Sequence, residues 1–405
     1  MAFLGYFKLA SKNLVAILPL FLWRQMTLVT MDNMLSDAGD IERFTIFTIY
    51  YLSVAIFTII SSIISEKSSK NLCIRIWIIL TVIASLVLFI PERMSCYIIY
   101  SLLSGLSFGF GLPLCLTYFA NNTTTENRGR IGAITFFLTS LTFVPAAVII
   151  RIFGLYVSSV LLIIFMIFIF ILFSKITMKE LNKTKAAVNF SSIINKPFLF
   201  YFISSSMFWF IDQLGGPILQ QFLNKTFGRE FRDLLLSIET VMTAFSTLIA
   251  GFLIDFYGRK KVLIYGFVTL GIAYAIAGVA AFSPLSWYIF SIVNGTALGF
   301  FIIVFVLTIW GDLSSWREQG KYYAIGSLPF SLSSIVREAV TTTNLLVIPI
   351  NATFSFASFF LFLAIIPLMY APETLPEKII RQRELKRYIE KAKKIREKYE
   401  KQKEN

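Results

Sequence analysis

Apolar runs, each about as long as a bilayer core is thick, follow one another along almost the whole chain with short polar stretches between them. They predict spans at 14–34, 44–65, 72–90, 96–119, 131–154 and 156–173. A polar stretch over 175–196 follows, and a second set then covers 197–220, 234–255, 262–282, 287–310, 324–348 and 354–370. The expected fold class is an all-α polytopic membrane protein with twelve transmembrane helices in two six-helix halves, 1–174 and 197–371. A cytoplasmic linker over 175–196 joins the halves, and a charged tail helix over 372–405 closes the chain. The lead before Lys12 is amphipathic with no small-residue cleavage site after it, so it reads as an approach to the first span rather than a cleaved signal.

Composition agrees with the spans: 57% of the 405 residues are hydrophobic and 16% aromatic, too apolar for a soluble protein. A net charge of +14 ordinarily raises nucleic acid as a partner. Here much of the charge lies after Tyr370 and in short loops, which points to lipid headgroups instead and excludes nucleic acid. Roughly sixteen Lys and Arg in the loops of one side against roughly six opposite put both termini in the cytoplasm and the chain in the plasma membrane. The cysteines Cys73, Cys96 and Cys115 have no paired spacing, and there is no histidine, so no metal site or cofactor is expected and any proton must ride on a carboxylate. No nucleotide-binding loop is present, and an enzyme is not expected. Leu385, Tyr388, Ile389, Ala392, Ile395 and Tyr399 recur at helical spacing in the tail, consistent with a helix on the lipid surface or in solvent.

One stretch packs a helix end, a tight turn and a charge cluster between two apolar runs: Gly251-Phe-Leu-Ile-Asp255-Phe-Tyr-Gly258-Arg259-Lys260. Ser62, Glu66, Ser69 and Lys70 repeat its frame of small residue, acid, small residue and base, roughly 190 residues earlier. A second pair of loops, Thr125-Glu126-Asn127-Arg128-Gly129-Arg130 and Gly311-Asp312 through Arg317 to Lys321, puts an acid, an arginine and a glycine before the next span in each half. These motifs resemble the signature loops of the major facilitator superfamily, and Ala371-Pro372-Glu373-Thr374 resembles the ending of its sugar porters. The chain departs from the sugar porters after span 6 and lacks the span 5 pattern of drug antiporters. The resemblance implies two pseudo-symmetric halves working as a monomer by alternating access. It further implies a gate made of two charged clusters: Asp255, Gly258, Arg259, Asp312, Arg317 and Glu373 beneath the second half, and Glu66, Lys70, Glu126 and Arg128 beneath the first.

Ionisable residues inside spans are costly and therefore informative. Arg24 with its neighbour Gln25 in span 1, Asp212 in span 7, and Arg337 and Glu338 in span 11 are candidates for substrate binding. Span 7 adds Trp209, Gln213 and Gln220 at helical spacing around Asp212, and Asn294 lies in span 10 in an apolar setting. Helix-to-helix hydrogen bonding is the structural alternative for each of these. Asp32 and Glu239 have no basic neighbour one helical turn away in sequence, which makes them the candidates for proton coupling. Together with the resemblance, these residues imply a secondary active transporter of a small polar or anionic organic solute, a sugar or organic acid, coupled to protons. Efflux of amphipathic compounds, or a non-transporting membrane sensor on the same scaffold, are the alternatives.

Overall fold

The computed structural model describes residues 2–90, 94–174, 193–342 and 349–376, together with 385 and 389. Most of the expected linker and nearly all of the expected tail helix lie outside the described residues. Within the described residues the chain is helical: α1 (Ala2–Met34), α2 (Asp40–Lys67), α3 (Lys70–Leu86), α4 (Met94–Asn121), α5 (Arg128–Ser140), α6 (Phe143–Ser174) and α7 (Lys196–Thr226) are followed by α8 (Arg229–Tyr257), α9 (Arg259–Val279), α10 (Pro284–Phe301), α11 (Ile309–Leu313), α12 (Gln319–Thr342), α13 (Ile350–Leu363) and α14 (Ile365–Tyr370). A π-helical stretch, Ile302–Thr308, carries α10 into α11, so span 10 is one rod with a wider turn in its middle. The expected spans 5 and 6 join in α6, which breaks at Gly154, where φ is 73°. The lead before Lys12 is no separate element but the first turns of α1.

Nine helices among the described residues are long and apolar enough to cross a membrane on composition alone. The chain is thus a multi-pass membrane protein. Lipid solvates its outer side chains: Val241, Phe245 and Ile249 on α8 and Phe356 and Phe359 on α13 are all more than half exposed. Proline is tolerated within helices for the same reason, since a helix wall can satisfy the freed carbonyl; Pro113, Pro217 and Pro329 all sit inside helices.

Glycine pairs set the closest helix approaches, and they do so twice. On α4, a Cβ added at Gly105 would lie 2.5 Å from the Tyr50 carbonyl oxygen of α2, and one at Gly109 would lie 2.5 Å from that of Val54. On α10, Gly295 and Gly299 make the same approach to α8, where an added Cβ would lie 2.5 Å from the Glu239 oxygen and 2.7 Å from the Thr243 oxygen. Both pairs are small residues four apart, the spacing that lets helix backbones touch in lipid. Serines seal each contact: Ser101 and Ser61 donate to the Ile46 and Phe110 carbonyls at 2.6 Å, and Ser246 donates to the Gly295 carbonyl at 3.3 Å. Gly295→Ala is expected to destabilise the purified protein by about 1–3 kcal/mol, the usual cost of overpacking. Gly39→Ala, whose methyl would meet nothing within 4 Å, is the matched control in the same thermal melt.

The halves meet along α2 against α12 and α5 against α8. The α5–α8 crossing is backbone-tight, because a Cβ at Gly251 would collide with Ala133 and with the Gly129 carbonyl. These two seams bring the charged loops of both halves together at one end of the bundle, here called the motif face.

Candidate functional site

At the motif face the turn between α8 and α9 is made by Gly258, whose φ of 97° strongly favours glycine. That turn presents Asp255 and Arg259, both fully buried. Asp255 accepts from the backbone N–H groups of Gly129 at 3.1 Å and Arg130 at 3.0 Å, and from Arg130 Nε at 3.0 Å. An acid of the second half thus caps the N-terminus of α5 in the first, where the helix dipole and free N–H groups favour negative charge. Arg259 Nε donates to Asp312 at 2.9 Å, and Arg128 of the first half binds the other oxygen of the same carboxylate. Arg259 also donates to the Thr125 carbonyl of the first half. Glu373 caps α9 by accepting from the N–H groups of Arg259 at 2.9 Å and Lys260 at 3.1 Å. Across the other seam, buried Lys321 pairs with Glu66 at 2.8 Å.

This arrangement corrects the expectation of one charged cluster per half. Asp255, Arg259, Asp312 and Glu373 do come together, but Arg128 joins the second half's Asp312 and Glu66 joins Lys321, because opposite charges on abutting loops pair across the seam as well as within the second half. Arg317 is also corrected: it is exposed on the turn before α12 and makes no ion pair among the described residues. Glu126 is exposed, and its carbonyl accepts from Arg130 at 3.0 Å. Lys70 is half-buried at the start of α3, near Glu66. Arg130 and Lys321 were missed, although both stand in the loops whose motifs were read; only the folded seam shows what they touch.

The opposite end is open. A cavity of about 340 Å³ lies between the halves there, lined by Arg43 of α2, Pro217, Gln220, Gln221 and Asn224 of α7, Arg232 of α8, and Arg337, Glu338 and Thr341 of α12. Arg43 is held by Asp32, and Arg232 forks onto Asp233 at 3.0 and 2.7 Å. Deeper in the seam, the Arg24 guanidinium of α1 crosses to the second half and lies over the Phe330 ring, 4.7 Å from its centre, while Trp209 meets the same ring edge-on at 4.8 Å. Gln25 is half-buried beside Arg24. Asp212 accepts from Gln213 at 3.1 Å. It lies near both Arg337 and Glu239, and the Asn294 amide lies near Glu239.

For Asp32 the geometry removes the argument made from sequence. Its side chain is 54% exposed and salt-bridged to Arg43, so it is neither buried nor without a cation. The partner sits eleven residues on, across the α1–α2 turn, beyond the single helical turn that sequence spacing can inspect.

A family model described as Major Facilitator Superfamily matches residues 202–399. The solved structure of a bacterial homologue of the iron transporter ferroportin, in an outward-facing state, superposes with a TM-score of 0.72 at 14% identity over 89% of this chain and 99% of that one. The proton:xylose symporter XylE, bound to 6-bromo-6-deoxy-D-glucose, gives 0.70 at 14% identity over 91% and 96%. The chain has the major facilitator fold. No curated protein matches its sequence. Between the halves, the α5–α8 and α2–α12 seams are closed at the motif face and hold the cavity at the opposite face.

Proposed function

We infer that the chain is a secondary active transporter of the major facilitator superfamily, moving a small polar or anionic organic solute by alternating access of its two halves. One observation carries this reading: the seam is locked by ion pairs between halves at one end and holds a polar cavity at the other, which is one of the two states such a cycle needs. With the motif face in the cytoplasm, as the loop charges favour, this is the outward-open state of a plasma-membrane protein working as a monomer. Guanidinium and amide groups around the seam favour carboxylate- or hydroxyl-bearing solutes, a sugar or an organic acid. The neighbours that share the fold include both a sugar symporter and a homologue of an iron transporter, so the side chains decide the class.

Proton coupling falls to Glu239, with Asp212 beside it on α7. Glu239→Gln is expected to lose at least tenfold of gradient-driven accumulation in proteoliposomes while keeping solute exchange within threefold, since a carrier that cannot bind the driving proton still cycles when loaded. Equal loss of both activities counts against the assignment. The transporter reading itself is tested by flux of labelled sugars and organic acids into proteoliposomes. Saturable flux supports it, whereas binding without flux for every class points to a sensor.

A further inference from the structure

Away from the motif face, Arg24, Arg43, Arg232 and Arg337 lie in the seam or line its cavity, and two of them are committed: Arg43 to Asp32 and Arg232 to Asp233. Arg24 and Arg337 are not. Among the described residues neither makes a hydrogen bond or an ion pair, and both are half-buried. Arg24 rests on the Phe330 ring with the buried Tyr50 and Tyr51 near it, and Arg337 has Asp212 and Glu338 near it without a closed pair, so the charge of Arg337 is balanced at a distance while its N–H donors stay unused.

The spacing of the two groups is set by α12. Phe330, under the Arg24 guanidinium, and Arg337 are seven residues apart and therefore on one face, about 10 Å along the axis. Arg337 lines the cavity, and Phe330, under Arg24, lies about two turns away along α12 toward the motif face. Between them the same face carries Ser334, and Trp209 closes the floor against Phe330. A guanidinium within a bilayer costs a few kcal/mol unless something compensates it. Two guanidinia without hydrogen bonds, reached along one face of α12, suit one ligand with an anion at each end, each end bound through a two-pronged Arg–carboxylate fork.

We propose that the solute is a linear dicarboxylate of roughly four to six carbons, one carboxylate on Arg337 in the cavity and the other on Arg24 above Phe330. This rests on the transporter reading and narrows its substrate class. A single carboxylate satisfies one arginine only, and a chain of two carbons is too short to reach both. A neutral sugar leaves Arg24 uncompensated by charge and makes no fork on either guanidinium.

The test is calorimetric titration of the purified full chain with α,ω-dicarboxylates of two to eight carbons, the matching monocarboxylates and a set of neutral hexoses, alongside proteoliposome flux of the same compounds. Affinity is expected to peak at four to six carbons and to exceed that of the matching monocarboxylate at least tenfold. Arg24→Gln and Arg337→Gln should each drop the best dicarboxylate to the monocarboxylate level, with Arg75→Gln on the exposed face of α3 unchanged. The length series on the unaltered protein stands even where a variant fails to fold. Flat affinity along the series, or equal binding of mono- and dicarboxylates, overturns the proposal. Saturable hexose flux without dicarboxylate flux overturns it while leaving the transporter reading intact. No saturable flux for any class overturns both.

Discussion

Asp312→Asn is expected to unlock the motif face and to reduce solute flux at least a hundredfold. Asp312 holds arginines from both halves, Arg128 and Arg259, and all three side chains are almost fully buried. Removing its charge leaves buried Arg128 without its carboxylate and Arg259 with Asp255 alone, and breaking a buried pair in this way costs about 3–5 kcal/mol. A change of about 3 kcal/mol is enough to move a two-state equilibrium more than a hundredfold. The closed motif face therefore loses population to states open on that side. Accessibility of a cysteine placed at Thr125, whose carbonyl receives Arg259, reports the change: labelling should rise from slow to fast in the variant. Slow labelling and normal flux in Asp312→Asn would show that the latch does not depend on this carboxylate. Asp255→Asn is expected to follow it, with solute binding kept within a few fold, because Asp255 acts at the α5 N-terminus and not at the cavity.

The second large effect comes from sterics rather than charge. Gly251→Val should abolish flux and lower the stability of the motif-face-closed state, because even one methyl at this position overlaps Ala133 and the Gly129 carbonyl on α5. Relief requires α5 and α8 to separate, and that separation pulls the Gly129 and Arg130 N–H groups away from Asp255. Steric and electrostatic terms thus fail together. The comparison is Gly216→Val on α7, where a Cβ meets nothing within 4 Å. Thermal melts of both variants decide the point: a large loss for Gly251→Val and a change within about 0.5 kcal/mol for Gly216→Val. Similar melts would mean that the crossing has more room than its backbone distances imply.

Much of this architecture is written in the chain, and the parts that are not share a cause. Spans are legible because apolar length is a local property. Even α7 and α12 can be found that way, although they are not among the nine helices apolar enough on composition alone. Their deficit is itself informative: both helices carry polar residues that line the cavity, Gln220, Gln221 and Asn224 on α7 and Arg337 and Glu338 on α12. The four-residue glycine spacings on α4 and α10 were equally available as local patterns. Pairings across a seam are not local. Nothing in the sequence around Glu66 announces Lys321, nor does anything near Arg128 announce Asp312, since each pair lies far apart along the chain and is joined only by how the halves abut. Asp32 illustrates the shorter-range version, its cation sitting just past a turn.

Alternating access predicts opposite movements at the two ends of the seam. Spin-label pairs at Lys67 and Trp316 on the motif face, and at Asp37 and Lys225 on the opposite face, all exposed positions, report both in proteoliposomes. The buried native cysteines Cys73, Cys96 and Cys115 leave those labels as the dominant signal. Addition of a transported solute should lengthen the Lys67–Trp316 distance and shorten the Asp37–Lys225 distance in the same molecules, and Asp312→Asn should show the lengthened motif-face distance without solute. Distances that stay fixed at both ends while solute crosses the membrane would contradict the account.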